Sequence, residues 1–246
     1  VIISGAVSPG EAINMARSAF ERWKVEGKAS LPSVAVVPAP PDTRVHLLDR
    51  PRATQTLVCA LTTVMGREDP DAPAMEVAVH ILAGAFDSRL QTAMREEGGY
   101  TYGVQSAIDW FHGSSRLSIC AQVERGETVR AAQEILRQVE GMRSAPPDEA
   151  AVARALEGLR GSAAGHYETL GGSAAEAREA FLRAATWSAA SSTEAGAAAP
   201  VSAARVAAVA ERLLRADRIA LLLVGDARRL RPVLGDLDRG VVIQTF

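Results

Sequence analysis

Apolar residues recur along this chain with two periods, two and 3.6, and the changes between them predict a short opening unit followed by a longer one. The β-branched run Val1-Ile2-Ile3 predicts a buried strand that breaks at Gly5. Ser8, Pro9 and Glu11 then predict a capped helix start, with Ile13, Ala16, Phe20 and Trp23 on one helical face. From Lys24 to Asp42 the chain is charged and then Pro-rich (Pro32, Pro38, Pro40, Pro41), which predicts an extended linker.

The longer unit begins at Thr43. Strands are expected over 44–48 and 54–63 around the turn Asp49-Arg50-Pro51. One helix is expected through Met75, Val79 and Leu82, and another through Leu90 and Met94 to about Glu97, ended by Gly98-Gly99. Runs 104–110 and 116–123 predict two strands joined around His112-Gly113 as a hairpin. Val129, Ala132, Leu136 and Val139 mark an amphipathic helix closed by Pro146-Pro147, after which Asp148 caps the next. Residues 148–216 are Ala-rich but keep apolar faces (Val152, Leu156, Leu159; Val206, Val209, Leu213), so they predict packed helices rather than low complexity. A buried strand over 219–224, Gly225-Asp226, a short helix around 230–234 and a strand over 241–243 close the unit. V-I-I-S-G before the first helix resembles L-L-L-V-G-D before the last; any strand-Gly-helix turn looks alike, but if the match is a repeat, the chain begins in the final strand of one domain and contains the next.

Composition narrows the possible functions. With 246 residues, 48% hydrophobic and 23% charged, the chain is of soluble globular type. A net charge of -2 gives no electrostatic footprint for nucleic acid, and no apolar run approaches the roughly 20 residues of a membrane span. Cys59 and Cys120 lie in separate apolar runs without a CxxC spacing, which predicts two buried thiols and excludes a zinc knuckle. The four histidines (His46, His80, His112, His166) form neither H-E-x-x-H nor H-x-x-E-H, and His166-Tyr167-Glu168 lacks the P-C-x-x-C of a zinc deaminase. P-loop, dinucleotide-binding and G-x-S-x-G signatures are likewise missing.

The densest constellation is Ala83 to Val104, A-G-A-F-D-S-R-L-Q-T-A-M-R-E-E-G-G-Y-T-Y-G-V, which runs from helix through a Gly-Gly break into a strand. Such a junction can bring a guanidinium, with its fork of donors, and a phenol, able to donate to an oxyanion, into one place. The bland alternative is that Arg95 pairs with a surface carboxylate and Tyr102 packs at a sheet edge. This segment resembles the signature of the C-terminal half of the pitrilysin/insulinase family of zinc metallopeptidases, roughly G-G-x-F-x-S-R-L-x-x-x-L-R-E-x-x-G-Y-x-Y. Ala83 and Met94 stand where Gly and Leu are commoner. The order of elements over 43–246 follows the family too.

The resemblance implies an α+β fold with a mixed sheet and helices largely on one face, the LuxS/mitochondrial-processing-peptidase-like architecture. It implies three parts: residues 1–24 as the last strand and helix of a preceding homologous domain, 25–42 as linker, and 43–246 as a C-terminal inactive-type peptidase domain. Zinc would be held by a homologous partner domain or subunit carrying H-x-x-E-H, and none by this chain. Arg95 and Tyr102 would act across the cleft as the catalytic and substrate-binding pair, Arg95 on the peptide backbone and Tyr102 on the scissile carbonyl. Arg89 is expected to brace the helix start, and Tyr100 to point to the same face as Tyr102 but one step further from the turn. The chain alone would cleave nothing. Rival readings are a non-catalytic structural or assembly subunit of the same family and a simple peptide-binding module. Bacterial relatives suggest the periplasm, otherwise the cytoplasm.

Overall fold

The period-two runs form β1 (Val45–Asp49), β2 (Gln55–Met65), β3 (Thr101–Asp109), β4 (Ser114–Glu124), β5 (Ala220–Gly225) and β6 (Val241–Gln244), joined in one sheet of order β3-β4-β2-β5-β1-β6. In this computed structural model the described residues are 1–24, 27, 43–111, 113–165, 167–183 and 200–244. The sheet is mixed: β1 runs parallel to β5 and β6, and the remaining pairs are antiparallel. Strand alternation separates its faces. Thr56, Val58, Ala60 and Val64 of β2 and Leu117, Ile119, Ala121 and Val123 of β4 are buried beneath helices, whereas Leu57, Gln105 and Gln122 lie exposed on the open face. The part of the chain that holds the sheet is α+β with its helices over one face, as the resemblance implies.

Two units make up the chain, Val1–Ala35 with Arg160–Ala198, and Val36–Leu159 with Ala199–Phe246. The larger holds the sheet, α2 (Ala72–Val79), α3 (Arg89–Gln91), α4 (Thr128–Ser144), α7 (Ala203–Leu213) and α8 (Ala227–Leu230). Helix α4 lays Ala131, Ala132, Ile135, Val139 and Met142 into the core, each fully buried. At about 25 cal/mol per Å² of apolar surface, a side chain such as Ile135 contributes roughly 1.5–3 kcal/mol. Helix α5 (Glu149–Gly165) starts where expected, the Asp148 carboxylate accepting from the Ala151 N–H at 2.7 Å. The Arg239 guanidinium ties the chain around β6 by donating to the carbonyls of Thr43, Ala216 and Ile219.

The smaller unit contains α1 (Pro9–Phe20) and α6 (Leu170–Arg183). The capping box forms: Glu11 N–H donates to the Ser8 hydroxyl at 3.3 Å, and Ser8 N–H to the Glu11 carboxylate at 2.8 Å. Val1-Ile2-Ile3, expected as a buried strand, is exposed and outside the sheet, because β-branched residues make a strand only beside a ladder partner and no described strand pairs with them. The apolar face of α1 is exposed as well, Ile13 and Phe20 included. Apart from Gly27, the stretch 25–42 expected as a linker lies outside the described residues, as do His112, expected where the hairpin strands join, and His166.

Candidate functional site

The helix leading to the strand is irregular. Helix α2 widens into a π-helical turn (His80–Gly84), and α3 into another (Thr92–Glu97). The second is closed by Gly98 and by Gly99 at φ 66, a left-handed conformation suited to glycine. Gly99 N–H donates to the Arg95 carbonyl and Tyr100 N–H to that of Met94. The Gly-Gly stop read from the sequence is therefore a helix C-terminal cap, and it sets the entry into β3.

Tyr100 departs from expectation. It precedes the strand, only 8% exposed, with the Arg130 guanidinium 4.9 Å from the centre of its ring. Burial pushes its phenol above the ordinary tyrosine range and Glu134 adds to that, against the opposing charge of Arg130. Tyr102 goes the other way, 91% exposed. The two do not share a face because Tyr100 lies before the strand begins, so alternation does not reach it; within the strand the β3–β4 ladder slips, Thr101 pairing with Val123 and Val104 with Ala121, so that Tyr102 and Gly103 together oppose Gln122. This bulge throws Tyr102 outward.

Two side chains hold the bulge. The Thr101 hydroxyl donates to the Gln122 carbonyl at 2.9 Å and accepts from the Gly103 N–H at 3.2 Å. The Gln91 carboxamide donates to the Val104 carbonyl and accepts from the Val104 N–H, both at 3.1 Å, making the pair of bonds a neighbouring strand would make. Neither Thr101 nor Gln91 stands out in the sequence, since their roles depend on ladder register.

Arg95 is exposed on the second π-helical turn, with its guanidinium 4.8 Å from the centre of the Phe86 ring, a cation–π contact with a ring itself 69% exposed. No hydrogen bond joins Arg95 to Tyr102 among the described residues. Arg89 does brace the start of α3, pinning it to the end of α4 by donating to the carbonyls of Gly141 (3.0 Å) and Ala145 (2.7 Å). Burial shifts its guanidinium pKa down from the ordinary arginine range.

Tyr102 stands at the wall of a concavity of about 540 Å³ on the open face, lined also by Gln55, Leu57, Gln91, Gln105, Cys120 and Gln122. Its floor corrects the expectation of two free thiols. Cys59 and Cys120 are directly opposed on β2 and β4 with Cα atoms 4.1 Å apart, and they form a disulfide. That separation belongs to the narrow, non-hydrogen-bonded antiparallel pair, a relation that 61 residues of intervening sequence conceal. No cluster of three or more His, Cys, Asp or Glu side chains able to hold a metal occurs among the described residues, and no described helix is long and apolar enough to cross a membrane.

The comparison with known proteins agrees with this architecture. The family model for the peptidase M16 inactive domain matches residues 1–159. An uncharacterised zinc protease of Mycobacterium leprae is 29% identical over 149 residues, 57% of this chain and 32% of that protein. Among solved structures, a peptidase M16 inactive domain from Pseudomonas fluorescens matches with a TM-score of 0.63 and 21% identity over 90% of this chain and 52% of that one. A protease of Helicobacter pylori matches with a TM-score of 0.70 and 12% identity over 90% of this chain and 54% of that one. These structural likenesses carry the fold alone, and the chain spans about a third of the Mycobacterium relative and half of the two structures. By the family match over most of its length, the chain belongs to the peptidase M16 family as an inactive domain.

Proposed function

We propose that this chain is the C-terminal, non-zinc half of a zinc endopeptidase, and that Arg95 and Tyr102 are its contribution to the reaction. Residues 43–246 would form the whole inactive-type domain, 25–42 the link, and 1–24 the end of a preceding homologous domain. A zinc domain carrying H-x-x-E-H, on the same chain or a separate subunit, would supply the activated water and the general base when metal is bound. Tyr102 would donate its phenolic proton in a hydrogen bond to the scissile carbonyl oxygen as it becomes an oxyanion, and Arg95 would hold peptide carbonyls through its fork of donors.

The observation that carries this reading is the bulge. A tyrosine 91% exposed at the wall of an open concavity, held out by Thr101 and Gln91, is presented for contact rather than packed away. In the complete two-domain protein, loss of one oxyanion donor lowers the rate by about 10²–10³. Tyr102→Phe is therefore expected to cut hydrolysis of a quenched peptide by that factor, with Arg95→Ala raising KM as well. Cleavage within twofold of wild type in Tyr102→Phe would sink the role. Assembly with a zinc domain but no peptidase activity would favour a non-catalytic subunit instead.

A further inference from the structure

We propose that the basic turn between β1 and β2 is a specificity site, in which Arg50 and Arg52 receive an acidic side chain of an extended peptide lying across the open face toward Tyr102. The inference rests on the reading above for the path of the peptide, but its test does not depend on catalysis.

The turn is built to display its arginines. Ala53 N–H donates to the Arg50 carbonyl at 3.2 Å, Pro51 holds the second position, and Arg52 at the third has φ 65. That is the pattern of a type II turn, whose third position favours glycine or asparagine because it is left-handed. Arginine is among the less favourable choices there, so backbone geometry does not account for it. The strained residue is tied down from behind. Asp226 accepts the Arg52 N–H at 3.1 Å while capping α8 through Arg228 N–H, and the Arg50 N–H donates to the Gly225 carbonyl at 2.8 Å. At Gly225 a Cβ would lie 2.9 Å from both the Thr56 hydroxyl and Leu230, so a larger residue would have to displace those side chains.

The carboxylates of Asp226 and Asp49 are thus occupied with backbone, Asp226 as described and Asp49 by accepting from the Ala227 N–H at 2.9 Å, while Glu124, opposite Gln55 at the end of β4, is exposed and makes no ion pair with either arginine among the described residues. The guanidiniums of Arg50 and Arg52 are exposed, and no ion pair engages either among the described residues. They line a concavity of about 570 Å³ that shares Gln55, Leu57 and Gln122 with the Tyr102 concavity, so the two form one trough. In its middle the Gln122 amide donates to the Gln55 carbonyl oxygen at 2.8 Å, which leaves the Gln122 oxygen and the Gln55 amide hydrogens as an acceptor and a donor for a peptide backbone. A cationic end, an amide-lined middle and apolar Leu57 complement an extended peptide with one carboxylate. Two cations are too few to track a phosphate backbone.

Register sets the spacing. Tyr102 lies opposite Gln122, Gln122 opposite Leu57, and Arg52 precedes Leu57 along the chain. With strands about 4.8 Å apart and residues about 3.3 Å apart, the turn lies roughly 15–20 Å from Tyr102, or about five residues of extended peptide.

The test is fluorescence anisotropy on the 246-residue chain at low salt, with labelled, C-terminally amidated ten-residue peptides in which a single Asp is walked along an otherwise neutral sequence, each against its Asn analogue. The expected result is one position where Asp binds about tenfold tighter than Asn. That advantage should fall toward one in 0.5 M salt and vanish in Arg50→Glu/Arg52→Glu. Arg52→Gly, which relieves the left-handed position, is expected to raise the thermal midpoint by a degree or two while losing about threefold of the preference, a combination that a purely structural arginine would not produce. The proposal is overturned if no position discriminates, if the double variant keeps the preference, or if the preference appears only with a free C-terminal carboxylate. Loss of the preference together with full sensitivity of cleavage to Tyr102→Phe would remove this site and leave the proposed catalytic role standing.

Discussion

Helices α1 and α4 invert each other. α1 has Pro at its start, a complete capping box and an amphipathic pattern, yet none of its residues is buried. α4 has no side-chain cap at its N-terminus, but it buries Thr128 and five apolar side chains, and its C-terminal carbonyls at Gly141 and Ala145 are covered by Arg89. Local rules say where a helix begins; burial says how much it contributes to the fold.

The contrast can be broken most directly from the α4 side. Ile135→Ala removes a fully buried side chain between helix and sheet and is expected to cost about 2–5 kcal/mol in urea unfolding. A loss below about 1 kcal/mol would mean that α4 does not anchor the core. Next in size is the bridge beneath the Tyr102 concavity. Reducing Cys59–Cys120, which spans 61 residues, is expected to lower stability by about 2–4 kcal/mol, read as a drop in thermal midpoint with a reducing agent that a Cys59→Ser/Cys120→Ser double variant no longer shows.

The smallest effect belongs to α1. Ser8→Ala is expected to cost about 1 kcal/mol of local helix stability, seen as faster amide exchange over Pro9–Phe20, without shifting the cooperative transition of the larger unit. Acid should do the same. Bonds from the Ser8 hydroxyl and backbone hold the Glu11 carboxyl below the ordinary range, so its contribution is present above that range and is lost as pH falls through the lowered value. Protection in α1, measured against the intrinsic exchange rate at each pH, should then fall before protection in α4 does. Simultaneous loss of both helices would show that they belong to one cooperative unit.

What the sequence discloses follows the same division. The six strands of the sheet, the hairpin, the Gly98-Gly99 stop and the Asp148 cap are legible because each signal lies within a few residues of the element it makes, whereas Val1-Ile2-Ile3 carries the same signal without making a strand. Features that depend on how distant segments register are not. The disulfide needs Cys59 to sit opposite Cys120, and the outward turn of Tyr102 needs a two-for-one mismatch against Gln122 that alternation in β3 cannot reveal. Tyr100 misleads for another reason: counting in twos from Tyr102 assumes a strand that has not yet begun. Arg95 and Tyr102 themselves emerge from a family resemblance rather than from spacing, and Asp49-Arg50-Pro51 marks a turn without disclosing the left-handed residue at its third position.

Strand β3 lies at the margin of the sheet, where unpaired amides and carbonyls invite a stray strand from another molecule. At Val104 that invitation is already answered from within, since Gln91 fills both bonds. The glutamine that supports the bulge thus also acts as a stopper against aggregation, leaving the margin of the sheet less able to recruit a second copy while the tyrosine beside it stays free.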